Sequence, residues 1–526
     1  MFRRSLVSAP VVLLSPGRCR RWAHAAWVAA CLTVGTHSAP AQVVSPEPTP
    51  AAVPARATPV ARPEAVFAAL KRAGIGLDAA AFAATAVDAD ALPLFEHNAR
   101  QPMVLASTTK LVTALAALGT LGPQYRWRTR AYLHGPLAAG ALEGDLTLVG
   151  GGNPLLTSAD LVAWFKQLQA RGLHEIHGDI VLDRLAFQLK PIDHINTPPE
   201  DPDSPHHRWP DAFVVDDGVL SVNLSSSGGV VQTAFSPALD GADVLDHMQI
   251  RPVKCAALRN PPRLALPGAD VAAPAGVVAP IKVQLSGDWS PACGPRRIDV
   301  GTESASGFSA AAVAAAWRAA GGVLSGTAHD RAPLVPGARW SLAAKPWATH
   351  ESKPLPAVLR EMNKWSNNLI ARNLLLTMSK GFPQRPATLP EARTRAATWL
   401  RQQGLSDEDM HLDNGSGLSR TERGRPAAFI TLLREAWNNS ATRKLIVDSL
   451  PVAGVDGTLA NRFRDGPARG NAMLKTGTLS DTRSLAGYVT GRSGRVYAVT
   501  AIVNHPQATQ AVPALDKFIE WVIDNG

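Results

Sequence analysis

Ser107 and Lys110 stand three residues apart in the run Val104-Leu-Ala-Ser-Thr-Thr-Lys-Leu-Val112. Positions i and i+3 share one face of a helix, so a hydroxyl and an amine placed there can meet. A serine hydroxyl becomes a nucleophile when a neighbouring base takes its proton. Lysine can be that base where burial favours the neutral amine. The pair alone is a weak signal, because Ser-x-x-Lys equally describes a helix N-cap followed by a solvated lysine.

Two further clusters add specificity. Ser-x-Asn occurs as Ser221-Val222-Asn223, in an alternating strand-like segment, and as Ser366-Asn367-Asn368, just before the apolar run Leu369–Leu376. A loop-to-helix junction can direct both side chains into a cleft, which favours Ser366 and Asn368. Lys475-Thr476-Gly477-Thr478 precedes the strand-rich C-terminal segment. On a strand beside a cleft, Lys475 and Thr476 suit a substrate carboxylate and Gly477 permits close approach. The Thr478 amide suits an oxyanion. Standing by itself, that quartet would read as a polar turn.

The elements around these residues follow from periodicity. Leu111, Leu115 and Leu118 repeat at helical spacing and Gly119 closes the run, so Ser107 is expected in the first turn of a buried helix. Val66, Leu70 and Ile75 predict a short helix before it, and Ala86-Val87 with Leu92–Phe95 predict a strand pair. From about Gly135 to Pro346 the texture is one of short alternating segments such as Asp145–Val149 and Asp179–Asp183. Helical texture resumes at Ala310–Ala320 and again from Leu355. Leu485–Val489 and Val496–Val503 predict strands, and Leu515, Phe518, Ile519 and Val522 one face of a last helix.

Arg3, Arg4, Arg18, Arg20 and Arg21, the apolar run Trp22–Val34 and Ala39-Pro40-Ala41 predict a signal peptide over residues 1–41. A lipoprotein leader anchored at Cys31 is the alternative. Residues 42–63 read as a Pro-rich linker. The formal net charge is +10, and the leader arginines carry half of it. No basic block interleaved with aromatics appears, so nucleic-acid binding is not expected. Outside the leader only Cys255 and Cys293 remain, which in an exported chain suggests one disulfide, two free thiols being the other reading.

In the order Ser-x-x-Lys, Ser-x-Asn, Lys-Thr-Gly, these motifs are those of β-lactamases and penicillin-binding proteins, with Asn367 where Asp is usual. The stretch from Lys110 to Ser366 is far longer than a compact β-lactamase requires. In that spacing, and in Gly178–Asp183, Met362–Ile370, Asp413–Arg420 and Pro451–Leu459, the chain resembles the D-alanyl-D-alanine carboxypeptidase/endopeptidase family, the low-molecular-mass class C penicillin-binding proteins. The resemblance implies an α+β transpeptidase-like, β-lactamase-like domain, an antiparallel sheet flanked by helices, built from 64–135 and 346–526. It further implies two smaller β-rich insertions: domain II, 136–227 with 301–345, and a nested domain III, 228–300.

The activity implied is serine-type hydrolysis of D-alanyl peptide bonds in peptidoglycan, in the periplasm, with no cofactor, no metal and no stable transmembrane anchor. β-Lactams would bind covalently. Ser107 would be the nucleophile, Lys110 its base, and Ser366 the proton relay. Asn368 would hold the substrate backbone, and the amides of Ser107 and Thr478 the oxyanion. Two other classes remain open, a β-lactamase-like hydrolase and a wall-binding protein of weak activity. His194, His206 and His207 read as loop residues, and Asp413–Gly417 as a turn near the cleft with Ser416 and Arg420 behind the site. Asp211 and Asp216 are candidates to meet the peptide stem.

Overall fold

The computed structural model describes residues 62–88, 90–190, 193, 208–227, 230–267, 280–302, 306–331 and 344–526. The expected leader, the Cys31 alternative, nearly all of the linker, and His194, His206 and His207 lie outside the described residues.

Segments remote in sequence build one five-stranded antiparallel sheet. Its order is Pro93–His97, Ala80–Ala86, Val496–Asn504, Thr482–Thr490, Ala472–Leu479. Helices cover both faces, so successive residues are buried rather than alternate ones. In Ala80–Ala86, Ala81 and Ala83 join a core with helices Thr109–Leu121, Leu355–Trp365, Asn368–Thr377 and Pro426–Asn438. Ala80, Phe82 and Ala84 join the opposite core, with Glu64–Arg72 and Val512–Asn525. This strand begins at Ala80, earlier than the expected start at Ala86. Alanine carries no strand preference, so its run left no alternating signal.

Gly119 does not end its helix. Thr109–Leu121 runs through it and stops at Gly122, whose φ is 79°. A Cβ on Gly119 would lie 2.2 Å from Nε1 of Trp399. The missing side chain therefore lets this helix close against Leu389–Gln402, which carries Trp399.

The long insertion holds a mixed sheet in the order Ala328–Asp330, Ile180–Asp183, Asp145–Val149, Arg128–His134, Ala348–Glu351. Its outer strands reach past the boundaries expected near 135 and 346. Helices Ser158–Ala170 and Ser306–Ala319 pack on it through Trp164, Phe165 and Trp317. The first of these helices did not emerge from the β-like texture, although Thr157 and Asp160 cap it reciprocally. Beyond it lie two three-stranded sheets, Val230–Ser236/Val219–Ser227/Arg296–Gly301 and Asp243–Ile250/Lys282–Trp289/Arg263–Ala265, around Val222, Leu285 and Trp289.

Cys255 and Cys293 are bonded, S–S 2.14 Å, across 38 residues of sequence. Closing such a loop removes entropy from the unfolded chain, so reduction is expected to destabilise this region by about 2–4 kcal/mol. Limited proteolysis with and without reductant reads the effect as faster cleavage within 230–300. An equal rate in both would contradict it.

Candidate active site

Ser107 sits one turn earlier than expected. Ala106–Thr108 form a 3-10 turn before helix Thr109–Leu121, with Ala106 at a φ of 49° and Thr108 Oγ1 donating to the Leu105 carbonyl at 2.7 Å. Ser107 is half-buried and Lys110 fully buried. Lys110 Nζ lies 2.9 Å from Ser107 Oγ, 2.6 Å from Asn368 Oδ1 and 2.5 Å from the Ser416 carbonyl. Burial lowers the Lys110 ammonium from its usual range to about 7, against an opposing pull from the Glu422 charge.

That arrangement suits both protonation states. An ammonium fills all three contacts with N–H donors. A neutral amine keeps two N–H groups for Asn368 and Ser416 and turns its lone pair to the Ser107 hydroxyl. Lowered this far, the ammonium gives up its proton to leave the free amine accessible at neutral pH.

The middle cluster lies at a junction of helices. Ser366 ends Leu355–Trp365 in the left-handed region, φ 57°, and Asn367 caps Asn368–Thr377 by accepting from the Ile370 amide at 3.0 Å. The sharp turn puts Ser366 and Asn368 in contact with different lysines. Ser366 Oγ accepts from Lys475 Nζ at 2.9 Å, while Asn368 meets Lys110. Asn367 points elsewhere, and its Nδ2 donates to Asp217 of the insertion at 2.8 Å. An Asn therefore serves in the place of the usual Asp as both cap and link. The rival Ser221 is buried in strand Val219–Ser227, its hydroxyl accepting from Arg297 at 2.8 Å.

Lys475 through Thr478 lie on edge strand Ala472–Leu479. Lys475 is fully buried and also donates to the Thr476 carbonyl at 2.8 Å. Burial, and then the nearby Lys110, hold its ammonium well below the usual range. Thr476 Oγ1 donates to Thr458 Oγ1 at 3.0 Å, and Thr478 is exposed. Gly477 is required by the protein's own packing. A Cβ there would lie 2.1 Å from Ser484 Oγ and 2.9 Å from the Leu105 carbonyl, so its absence seats the strand against the segment that leads into Ser107.

Asp413–Gly417 borders the site as expected, through the Ser416 carbonyl. Arg420 pairs instead with Asp481 at 3.3 Å and donates to Ser480 Oγ at 3.1 Å. Asp211 is bound to Arg184 at 2.7 Å and Asp216 accepts from the Ser158 amide at 3.0 Å, so both have protein partners. Three residues outside every motif turn out to border the site. Glu422 is wholly buried and accepts from four amides of the 413–417 loop. Arg372 is buried beside it, and Asp217 joins Arg208 at 2.8 Å behind Asn367. Their only sequence signal is charge inside otherwise apolar or turn-like segments.

Known proteins share this sequence and architecture. The D-alanyl-D-alanine carboxypeptidase DacB of Haemophilus influenzae is 27% identical over 428 residues, 78% of this chain and 82% of its own. The D-alanyl-D-alanine carboxypeptidase of Actinomadura sp. strain R39 is 29% identical over 459 residues, 81% of this chain and 78% of its own. The crystal structure of penicillin-binding protein 4 from Haemophilus influenzae superposes with a TM-score of 0.65 at 23% identity, covering 84% of this chain and 96% of that one, a likeness of fold. The profile of the D-Ala-D-Ala carboxypeptidase 3 (S13) family matches residues 65–521, end to end across both the sheet and its insertions. With the mixed α/β architecture expected of a penicillin-binding protein and that match over nearly all the described residues, the chain belongs to the D-Ala-D-Ala carboxypeptidase 3 (S13) family.

Proposed function

We propose that this protein hydrolyses D-alanyl peptide bonds of peptidoglycan through an acyl-enzyme on Ser107. The observation that carries the reading is the buried Lys110 amine, 2.9 Å from Ser107 Oγ and tied on its other sides to Asn368 and Ser416. Lys110 takes the hydroxyl proton as Ser107 attacks the carbonyl of the penultimate D-alanine. The amides of Ser107 and Thr478 hold the oxyanion. Ser366, in contact with Lys475, passes a proton to the leaving amine, and Lys475 with Thr476 receives the terminal carboxylate. Asn368 binds the substrate backbone. Water then frees the acyl group.

β-Lactams enter the same centre, in keeping with the β-lactam complex of the Haemophilus influenzae penicillin-binding protein 4. The catalytic unit is read as 64–135 and 346–526, lending its strands Arg128–His134 and Ala348–Glu351 to the sheet of domain II, which takes in 136–227 with 301–345, and domain III as 228–300. Export by the 1–41 leader would bring the enzyme to the wall; no helix among the described residues is long and apolar enough to cross a membrane.

Incubation with a stem pentapeptide and with cross-linked muropeptides tests the reading. Loss of one D-alanine, or splitting of the cross-link into its monomers, is the expected change in product mass. Unchanged masses for both substrates under conditions where the protein is folded would refute it.

A further inference from the structure

Glu422 is the one wholly buried carboxylate among the described residues, and nothing in the mechanism above uses it. Its Oε1 accepts from the amides of Asp413 at 3.0 Å, Asn414 at 2.9 Å and Gly415 at 2.5 Å, and its Oε2 from the amide of Gly417 at 2.6 Å. All four partners are donors, so the loop is built around the ionised form. Burial nevertheless pushes the carboxyl up to about 7.

The loop that Glu422 gathers touches the nucleophile's surroundings at three points. The Ser416 carbonyl accepts from Lys110 at 2.5 Å, and the Gly415 carbonyl from Thr113 Oγ1 at 2.7 Å. Gly417 lies so close to the nucleophile turn that a Cβ would come within 1.9 Å of the Ala106 carbonyl oxygen. Charged groups reach this pocket from each element packed on it. They are Lys110 from the nucleophile helix, Lys475 from the edge strand, Arg372 from helix Asn368–Thr377, and Asp413, itself paired with Arg393 of helix Leu389–Gln402.

We propose that Glu422 is a positioning residue for acyl transfer, holding the Ser416 carbonyl against Lys110 through the 413–417 loop and supplying the buried negative charge that favours proton uptake by Lys110. The inference rests on the functional reading above and deepens it. As the bond from Ser107 Oγ to the substrate carbonyl carbon forms, the hydroxyl proton moves to Lys110 Nζ. A full positive charge then sits near the buried Lys475. Glu422, ionised from about pH 7 upward, keeps its charge in this step. It offsets the new charge from within the protein, where Lys110 is itself buried. When the C–N bond breaks, the leaving amine takes its proton through Ser366 and the amine of Lys110 returns to neutral.

The test follows the rate of acylation by a fluorescent penicillin from about pH 5 to pH 9 in the full-length protein. In the parent the rate should rise through about pH 7, where Lys110 loses its proton. Glu422→Gln removes the charge, so Lys110 deprotonates more easily and the acidic limb should move down by about one pH unit, with a lower plateau. Glu422→Asp restores the charge without the reach, so the limb should return while the plateau stays low. A carboxylate that merely staples the loop would lower the plateau and leave the limb in place, and that result overturns the proposal. Should Glu422→Gln fail to fold, a Glu422→Asp variant whose plateau equals the parent's overturns it, because the shortened side chain would then not be needed to position the loop. A folded parent that takes up no penicillin at any pH would instead overturn the functional reading.

Discussion

Ser107→Ala is expected to fold as the parent does and to lose hydrolysis of D-alanyl substrates by about 10⁴- to 10⁶-fold. The size of the loss follows from the geometry. Ser107 Oγ, the proposed nucleophile, lies within hydrogen-bond reach of the Lys110 amine, and an alanine leaves nothing to form the acyl bond. The small effect on stability follows too. Ser107 is only half-buried, and Lys110 keeps Asn368 Oδ1 and the Ser416 carbonyl as partners. Loss of one hydrogen bond of this kind changes stability by about 1 kcal/mol. D-Alanine release measured beside a melting curve separates the two effects. Activity within tenfold of the parent would remove Ser107 from the chemistry, whatever the melting temperature.

The same geometry decides which parts of the site were legible in the sequence. Ser107 and Lys110 are close in the chain, and their i, i+3 spacing translates directly into contact. Ser366 and Lys475 were found because each sits inside a short motif whose order along the chain carries the information. Glu422 and Arg372 belong to no such motif. The contacts that give Glu422 meaning are with backbone amides, and those record nothing about their partner in side-chain type. Asn367 was visible only as a departure from Asp. Its bond to Asp217 could not be read, because it spans 150 positions and joins the catalytic helices to the insertion.

Architecture was legible on similar terms. The leucines of the nucleophile helix and the Val/Ile-rich strand Val496–Asn504 announce themselves by period and composition. Strand Ala80–Ala86 does not. It is buried on both faces by tight packing of alanines, and the pairing of Ala80 with Val503 and Ala86 with Tyr497 decides its state. Gly119 misled for a related reason. Read locally it is a helix stop, yet it is a contact point for Trp399 of another helix. Glycine marks either a bend or a close approach, and only the tertiary neighbours tell which. Compartment and count suggest the disulfide, and the 4.9 Å between the Cα atoms of Cys255 and Cys293, each in a 3-10 turn, decides it.

Gly417 is of the second kind, and Gly417→Ala is expected to lower stability by about 2–4 kcal/mol and to slow acylation by at least about 100-fold. Its φ of 85° lies in the left-handed region, which disfavours any residue with a Cβ. Strain there is the smaller part. The added carbon would sit 1.9 Å from the Ala106 carbonyl oxygen, 2.2 Å from its carbon and 2.7 Å from the Ser107 amide nitrogen. These are backbone atoms, with no flexible side chain to swing aside. Either the 413–417 loop withdraws, taking the Ser416 carbonyl from Lys110, or the turn bearing Ser107 shifts together with its proposed oxyanion amide. Both displace atoms of the proposed catalytic centre by a fraction of an ångström or more. Gly404→Ala supplies the comparison, since Gly404 has a similar φ of 76° and nothing within 4 Å of the new carbon. That variant should lose about 1 kcal/mol from strain alone and acylate at the parent's rate. Equal acylation rates in both variants would mean that the contact between Gly417 and the nucleophile turn does not position Ser107.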